Sequence, residues 1–160
     1  MTSATSTKRI RPIAIGLIWN KDSLLVEHGF DSVKGEHFFR PPGGAIEFGE
    51  PAVDALRREF LEELDAELSE PRLITVLENL FHYEGQPHHE VVFIFEARFK
   101  DARLYQRAEF TIQEPSARAT ASWKSFKELV SHEQRLYPDG LTAMLYELAN
   151  RPPQPGRARR

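Results

Sequence analysis

Pro51-Ala-Val-Asp-Ala-Leu-Arg-Arg-Glu-Phe-Leu-Glu-Glu-Leu64, entered from Pro41-Pro-Gly-Gly44, is the stretch on which the fold turns. Val53, Leu56, Phe60 and Leu64 recur at spacings of three and four, the period of an amphipathic helix, and Pro51 suits its first turn. The spacing predicts a helix over 51–64. Before it, Glu36–Arg40 reads as a short strand that stops at two prolines and two glycines, where regular pairing fails and a shaped loop is expected. On a wheel of about 100° per residue, with Glu59 at zero, Glu62 falls near about −60° and Glu63 near about +40°. Three carboxylates share one arc. The apolar stripe lies beside it, so the acids are partly sheltered, while Ala52 and Ala55 on nearly the same arc leave room for a bound group.

Like charges three and four residues apart cost an exposed helix roughly 0.2–0.5 kcal/mol per pair, and more where water is excluded. Arg58 is the arginine close to Glu62 on the wheel, and Arg57 points away, so a divalent cation is the better compensation. Carboxylate oxygens without thiolate favour a hard ion, Mg²⁺ or Mn²⁺. Gly43 and Gly44 lack a Cβ, which lets their backbone approach a ligand and aim amides at a phosphate.

Outward from the helix, Ile10–Trp19 and Leu24–His28 are strand-like runs parted by the turn cluster Asn20-Lys21-Asp22-Ser23, a hairpin. Leu73–Phe81 and Val91–Phe99 are further strands, with His82–Glu90 a polar connection, and Trp123–Phe126 reads as a short strand. Asp139–Leu148 closes the domain as a helix. An α/β fold follows, a central mixed sheet with helices on both sides. The 160 residues suffice for one domain, placed at 10–149, with flexible tails expected at 1–9 and, basic and proline-rich, at 150–160.

The totals exclude several classes. With no cysteine, there are no disulfides, thiolate metal sites or cysteine nucleophiles. A net charge of −3 and the lack of an aromatic-basic stripe disfavour nucleic acid as a partner. Ile13–Trp19 is too short to cross a bilayer, and the first residues carry no apolar signal core, so no membrane partner is expected and the default location is cytoplasmic.

The run from Gly44 to Ala66 resembles the Nudix box: glycine, five residues, glutamate, seven residues, then Arg-Glu-apolar-any-Glu-Glu. Glu50, Arg58, Glu59, Glu62 and Glu63 fill every charged position. Asp65 and Ala66 depart, standing where the family has glycine and an aliphatic residue; Asp65 is expected to take the left-handed helix end in glycine's place. The resemblance implies a Nudix-like α/β/α sandwich and catalysis by Glu59, Glu62, Glu63 and Arg58. It implies that Glu59, Glu62 and Glu63 hold Mg²⁺ or Mn²⁺, with backbone carbonyl from Gly43 and Gly44. Arg58 would orient Glu59, and Glu50 would hold the loop against the helix N-terminus.

A further acid from a later loop often completes such sites. Glu109 and Glu114 are the candidates, with Glu90 weaker, and each also reads as a surface residue. Arg40 is a candidate phosphate contact, and Phe38, Phe39, Phe81 and Tyr83 are candidate stacking rings. His82, His88 and His89 lack metal-ligand spacing with a helix. The expected activity is metal-dependent hydrolysis of a diphosphate linkage in a nucleoside diphosphate joined to another moiety, of nucleotide, nucleotide-sugar or dinucleotide type. The alternative is a non-catalytic Nudix-like domain that senses a nucleotide. An isoprenoid diphosphate isomerase resembles a cysteine-plus-glutamate enzyme and is disfavoured by the missing cysteine. The implied partner is a small nucleotide-type substrate, and a homodimer is possible, as in many relatives. Residues 29–36, 82–90 and 101–120, the substrate-selecting loops, carry no motif that names a base or sugar.

Overall fold

The structure is a computed structural model that describes residues 8–114, 118–131 and 135–150. The expected tails at 1–9 and 150–160 therefore lie almost wholly outside the described residues. The chain opens with strands β1 (Ile10–Asn20) and β2 (Ser23–Asp31), joined by the polar turn, with Lys21 in the left-handed region. These strands pair antiparallel only beside that turn, at Trp19↔Leu24 and Asn20↔Ser23, and then part.

Each takes its own neighbours. β1 pairs antiparallel with β4 (Gly43–Ala45) and parallel with β6 (Gln86–Phe99), which pairs antiparallel with β5 (Leu68–Tyr83). β2 pairs with β3 (Glu36–Arg40) and β8 (Arg118–Ser125); β8 pairs with β7 (Glu109–Gln113), and β3 pairs in parallel with β9 (Arg135–Leu136). The result is a mixed sheet whose two parts join where β1 and β2 pair beside the turn.

Helix α1 (Ala52–Leu64) buries Ala55, Leu56, Phe60 and Leu64 on one face of the sheet, in a core shared with Ala14, Ile18, Phe95 and Ile112. Gly16 makes room for it: a Cβ there would come within 2.9 Å of the Phe60 ring. Helices α2 (Phe126–Val130) and α3 (Leu141–Asn150) cover the opposite face, with Leu129, Leu141 and Leu145 packed on Ile13, Ile15, Val92 and Ile94. This is the expected α/β sandwich. α1 ends at Asp65, φ 50° and ψ 44°, whose N–H donates to the Leu61 carbonyl while that of Ala66 donates to Phe60. A short polar side chain tolerates that left-handed angle at a modest steric cost.

Several elements differ from the sequence reading. Gly43 and Gly44 are not a free loop but strand β4, because without side chains they fit flush against β1: a Cβ on Gly43 would lie 2.0 Å from the Ala14 carbonyl oxygen. The segment 82–90 is a tight hairpin at Glu84-Gly85, both in the left-handed region, so the strands run on through His82 and His88. Polarity there marks an edge, not a loop. Residues 101–120, read as a loop, hold a 3₁₀ turn (Ala102–Gln106) and β7, whose alternating Phe110 and Ile112 face α1. The strand expected at Trp123–Phe126 begins earlier, at Arg118, and Phe126 starts α2 under a Ser125 and Glu128 capping box. Among the described residues, no helix is long and apolar enough to cross a membrane.

Candidate active site

α1 presents its acids where β4 passes beneath. Gly44 lies under Glu59 so closely that a Cβ would stand 2.3 Å from the Glu59 Cδ and 2.5 Å from both carboxylate oxygens. Glycine is thus required to let this carboxyl seat against the backbone. Arg58 ties the region together: its Nε donates to Glu50 Oε1 at 2.7 Å, its Nη1 to Glu59 Oε1 at 3.0 Å and Glu62 Oε2 at 3.2 Å, and its Nη2 to the Ala45 carbonyl at 2.9 Å. These bonds, that of Glu50 above all, hold the Arg58 proton tighter than in a free guanidinium. Glu50 also accepts from the Glu47 N–H at 2.9 Å, and the bonds from Arg58 and then Glu47 keep its carboxyl below the usual carboxylate range. The loop before α1 is thereby fixed to the helix.

The three helix acids do not form one even arc. The Glu59 side chain is 13% exposed, whereas that of Glu62 is 60% exposed and drawn toward Arg58. Glu63 turns inward. Burial, reinforced by the charges of Glu27, Glu59 and Glu114, pushes its carboxyl up to about 8. Ala55 does not leave room for a ligand, since it is wholly buried in the core.

Glu27 was not legible as a site residue. It follows Leu24-Leu25-Val26 on β2, and a charge inside an apolar strand run was the available signal. Only 9% exposed, it accepts a bond from Arg40 Nη2 at 3.3 Å, and its other oxygen, Oε1, has no partner. Burial raises its pKa against the lowering by Arg40. The Arg40 guanidinium, for its part, is disfavoured by burial, but Glu27 and Glu90 outweigh that and raise its pKa.

Glu27, Arg40 and Glu114 open onto a cavity of about 430 Å³ between β1, β2, β3, β5 and β6, lined also by Ile13, Phe38, Asn79, Phe81, Glu90 and Tyr137. That volume suits a small organic ligand. Of the later-loop acids, Glu114 stands close enough for its charge to reach both Glu27 and Glu63. Glu109 does not join them; it lines a separate open groove with His37, Lys124 and Arg135. Phe38, Phe81 and Tyr83 line the cavity, but Phe39 is buried in the core beside α2 and α3. His82 and His88 line it too, whereas His89 pairs with Glu78 at 2.7 Å.

Among the described residues, no three carboxyl or imidazole side chains converge as a ready cage for an ion. The donor set nevertheless fits a hard cation: oxygen donors only, an unpartnered buried oxygen at Glu27, and a Glu63 carboxyl raised by burial and by the neighbouring acids.

A family model, the NUDIX domain, matches residues 9–143. The chain belongs to the Nudix family and is a hydrolase of that family, whose general chemistry is cleavage of pyrophosphate linkages. Solved structures agree on the fold. The MutT NUDIX hydrolase of Burkholderia pseudomallei superposes with a TM-score of 0.63 at 22% identity, covering 88% of this chain and 98% of that one. A NUDIX hydrolase from Nitrosomonas europaea gives 0.62 at 16%, covering 95% and 98%, and a MutT protein from Bacillus halodurans 0.60 at 18%, covering 89% and 84%.

Proposed function

We propose that the protein hydrolyses the diphosphate linkage of a nucleoside diphosphate joined to a further group, in a reaction that depends on Mg²⁺ or Mn²⁺. The observation that carries this reading is the Glu59 carboxyl seated on Gly44 and bonded to Arg58, close enough for its charge to reach Glu27, which with Arg40 helps to line the cavity. Glu59, Glu62 and Glu63 would hold the cation, helped by backbone carbonyl from Gly43 and Gly44. Bound there, it would neutralise charge on the diphosphate and acidify an attacking water.

The chain's own residues do the rest. Arg58 fixes the Glu59 carboxyl, so little reorganisation is needed when charge develops. Arg40, already paired with Glu27, supplies a cation toward phosphate oxygens entering the cavity. Glu63 or Glu59 accepts the proton of the attacking water, and Glu114 is the further acid placed to assist. The aromatic side chains Phe38, Phe81 and Tyr83 offer stacking surface to a base.

The test is phosphate or nucleoside monophosphate release with Mg²⁺ across dinucleoside polyphosphates, nucleotide sugars and nucleoside triphosphates. Activity is expected on at least one class and should vanish with chelator. If Glu62→Gln and Glu63→Gln kept full rates in folded protein, the mechanism would be wrong. No feature favours the non-catalytic sensor, because all three helix glutamates are present.

A further inference from the structure

Asn79 is 2% exposed, lines the cavity, and has an Oδ1 with no hydrogen-bond partner. Nothing in the hydrolytic chemistry uses it. A buried acceptor left unpaired is unfavourable, and a ligand that brings a donor would satisfy it. Its place in the sheet says what kind. Asn79 on β5 faces Glu90 on β6, and Glu90 faces Arg11 on β1, so that the three form one row across adjacent strands. Register partners project to the same side of a sheet, and all three line the cavity.

Glu90 is buried as well, with Arg11 at 3.6 Å. The row therefore offers two neighbouring acceptors, an amide oxygen and a carboxylate. Next along the strands, Phe81 faces His88, their rings stacked 5.2 Å apart at 15°. Phe81 also meets Tyr137 at 5.7 Å, and Phe38 stands edge-on to Tyr137 and Tyr83 at 5.3 and 5.9 Å. These packed rings give the cavity an aromatic surface on which a flat, aromatic guest can stack. Arg40, whose proton is held by Glu27, Glu90 and Glu63, links this floor electrostatically to the acid centre on α1.

We propose that Asn79 and Glu90 form a base-reading subsite selective for heteroaromatic rings that carry an exocyclic amino group. The proposal rests on the reading of the protein as a nucleotide hydrolase and adds the base preference. An amino group brings two N–H donors to two acceptors. A ring with a carbonyl in that place sets oxygen against the Glu90 carboxylate, which can only accept, and meets Asn79 only if that amide turns over. Sites whose buried polar groups need a partner reject the analogue that lacks it more strongly than apolar pockets reject a size change.

The experiment is calorimetric titration, without metal, of nucleoside monophosphates that differ in an amino group: adenosine against inosine, guanosine against inosine, and cytidine against uridine monophosphate. In the wild type, the amino-bearing member of at least one pair should bind about tenfold tighter or more. Asn79→Ala and Asn79→Ser should remove most of that advantage while leaving the amino-free partner unchanged. Equal binding within every pair, no binding of any member, or an advantage that survives both substitutions would overturn the proposal. Because no turnover is measured, the two readings fail separately. Hydrolysis without a base preference sinks the subsite alone, and a preference without hydrolysis sinks the proposed reaction alone.

Discussion

Replacing Gly44 by alanine separates catalysis from folding. The new Cβ would stand 2.3 Å from Glu59 Cδ and 2.5 Å from each of its oxygens, where carbon atoms pack at about 3.5–4.0 Å. Restoring that separation requires the carboxyl to withdraw by at least about 1 Å, pulling on its 3.0 Å bond to Arg58. A displacement of about 1 Å in a positioned group costs on the order of 10²-fold in rate. The obstacle is the far end of a flexible side chain, so the fold should survive with a melting temperature within a few degrees of wild type. Gly43→Ala is the contrast: its Cβ would meet the Ala14 carbonyl oxygen at 2.0 Å and Ile15 Cα at 2.7 Å, backbone against backbone, and should unfold the β1–β4 pairing. The assay is kcat/KM with Mg²⁺, read beside thermal melting. Full activity in Gly44→Ala would refute the view that Glu59 is held where the chemistry needs it.

Arg58→Lys keeps the charge but cannot reach Glu50, Glu59, Glu62 and the Ala45 carbonyl together; we expect a fall of about tenfold or more in kcat with a smaller change in KM, measured by steady-state kinetics. Because burial and neighbouring acids raise the Glu63 carboxyl to about 8 from its ordinary 4.5, the folded state binds that proton more tightly than the unfolded chain. Metal-free protein should therefore lose stability as pH climbs from 4.5 to about 8, Glu63→Gln should flatten that slope, and Mg²⁺ should raise the melting temperature more at pH 8 than at pH 5.5. A flat profile in the wild type would contradict the crowding of Glu63. Asp65→Gly relieves a left-handed angle and should leave the rate roughly unchanged with equal or slightly higher melting temperature; a large rate change would mean Asp65 takes part in the site.

How much the sequence disclosed depends on whether a signal was local. The 51–64 helix and the crowding of Glu59 with Glu63 follow from spacings within one element, where period and charge are read directly, and the left-handed end at Asp65 follows from the resemblance to the Nudix box. Strands whose partners lie far along the chain were harder. β4 looks like a turn because glycine marks both, and only the approach of β1 decides that it is a strand. β7 alternates but is only five residues long, and the start of β8 is made of small and charged residues; tertiary burial of Phe110, Ile112 and Ala121 is what makes them sheet. Glu27 and Asn79 were missed for a related reason. Glu27 is a single charge closing an apolar run and Asn79 stands beside Glu78 in a mixed strand, so the meaning of each arises from what stands across the cleft.

The cleft is held at its mouth by a clasp between two hairpins. Asp31 accepts the N–H groups of Val33 and Lys34, within its own turn, and that of Glu84 across the opening; Glu84 accepts in return from Ser32, N–H and hydroxyl, at 2.6 and 2.5 Å. A few turn residues thus gauge the span between strands that carry Phe38 on one side and Phe81 on the other. Lengthening or shortening either turn would resize the guest admitted while the acids on the helix stayed as they are, a route by which ligand choice and chemistry drift apart.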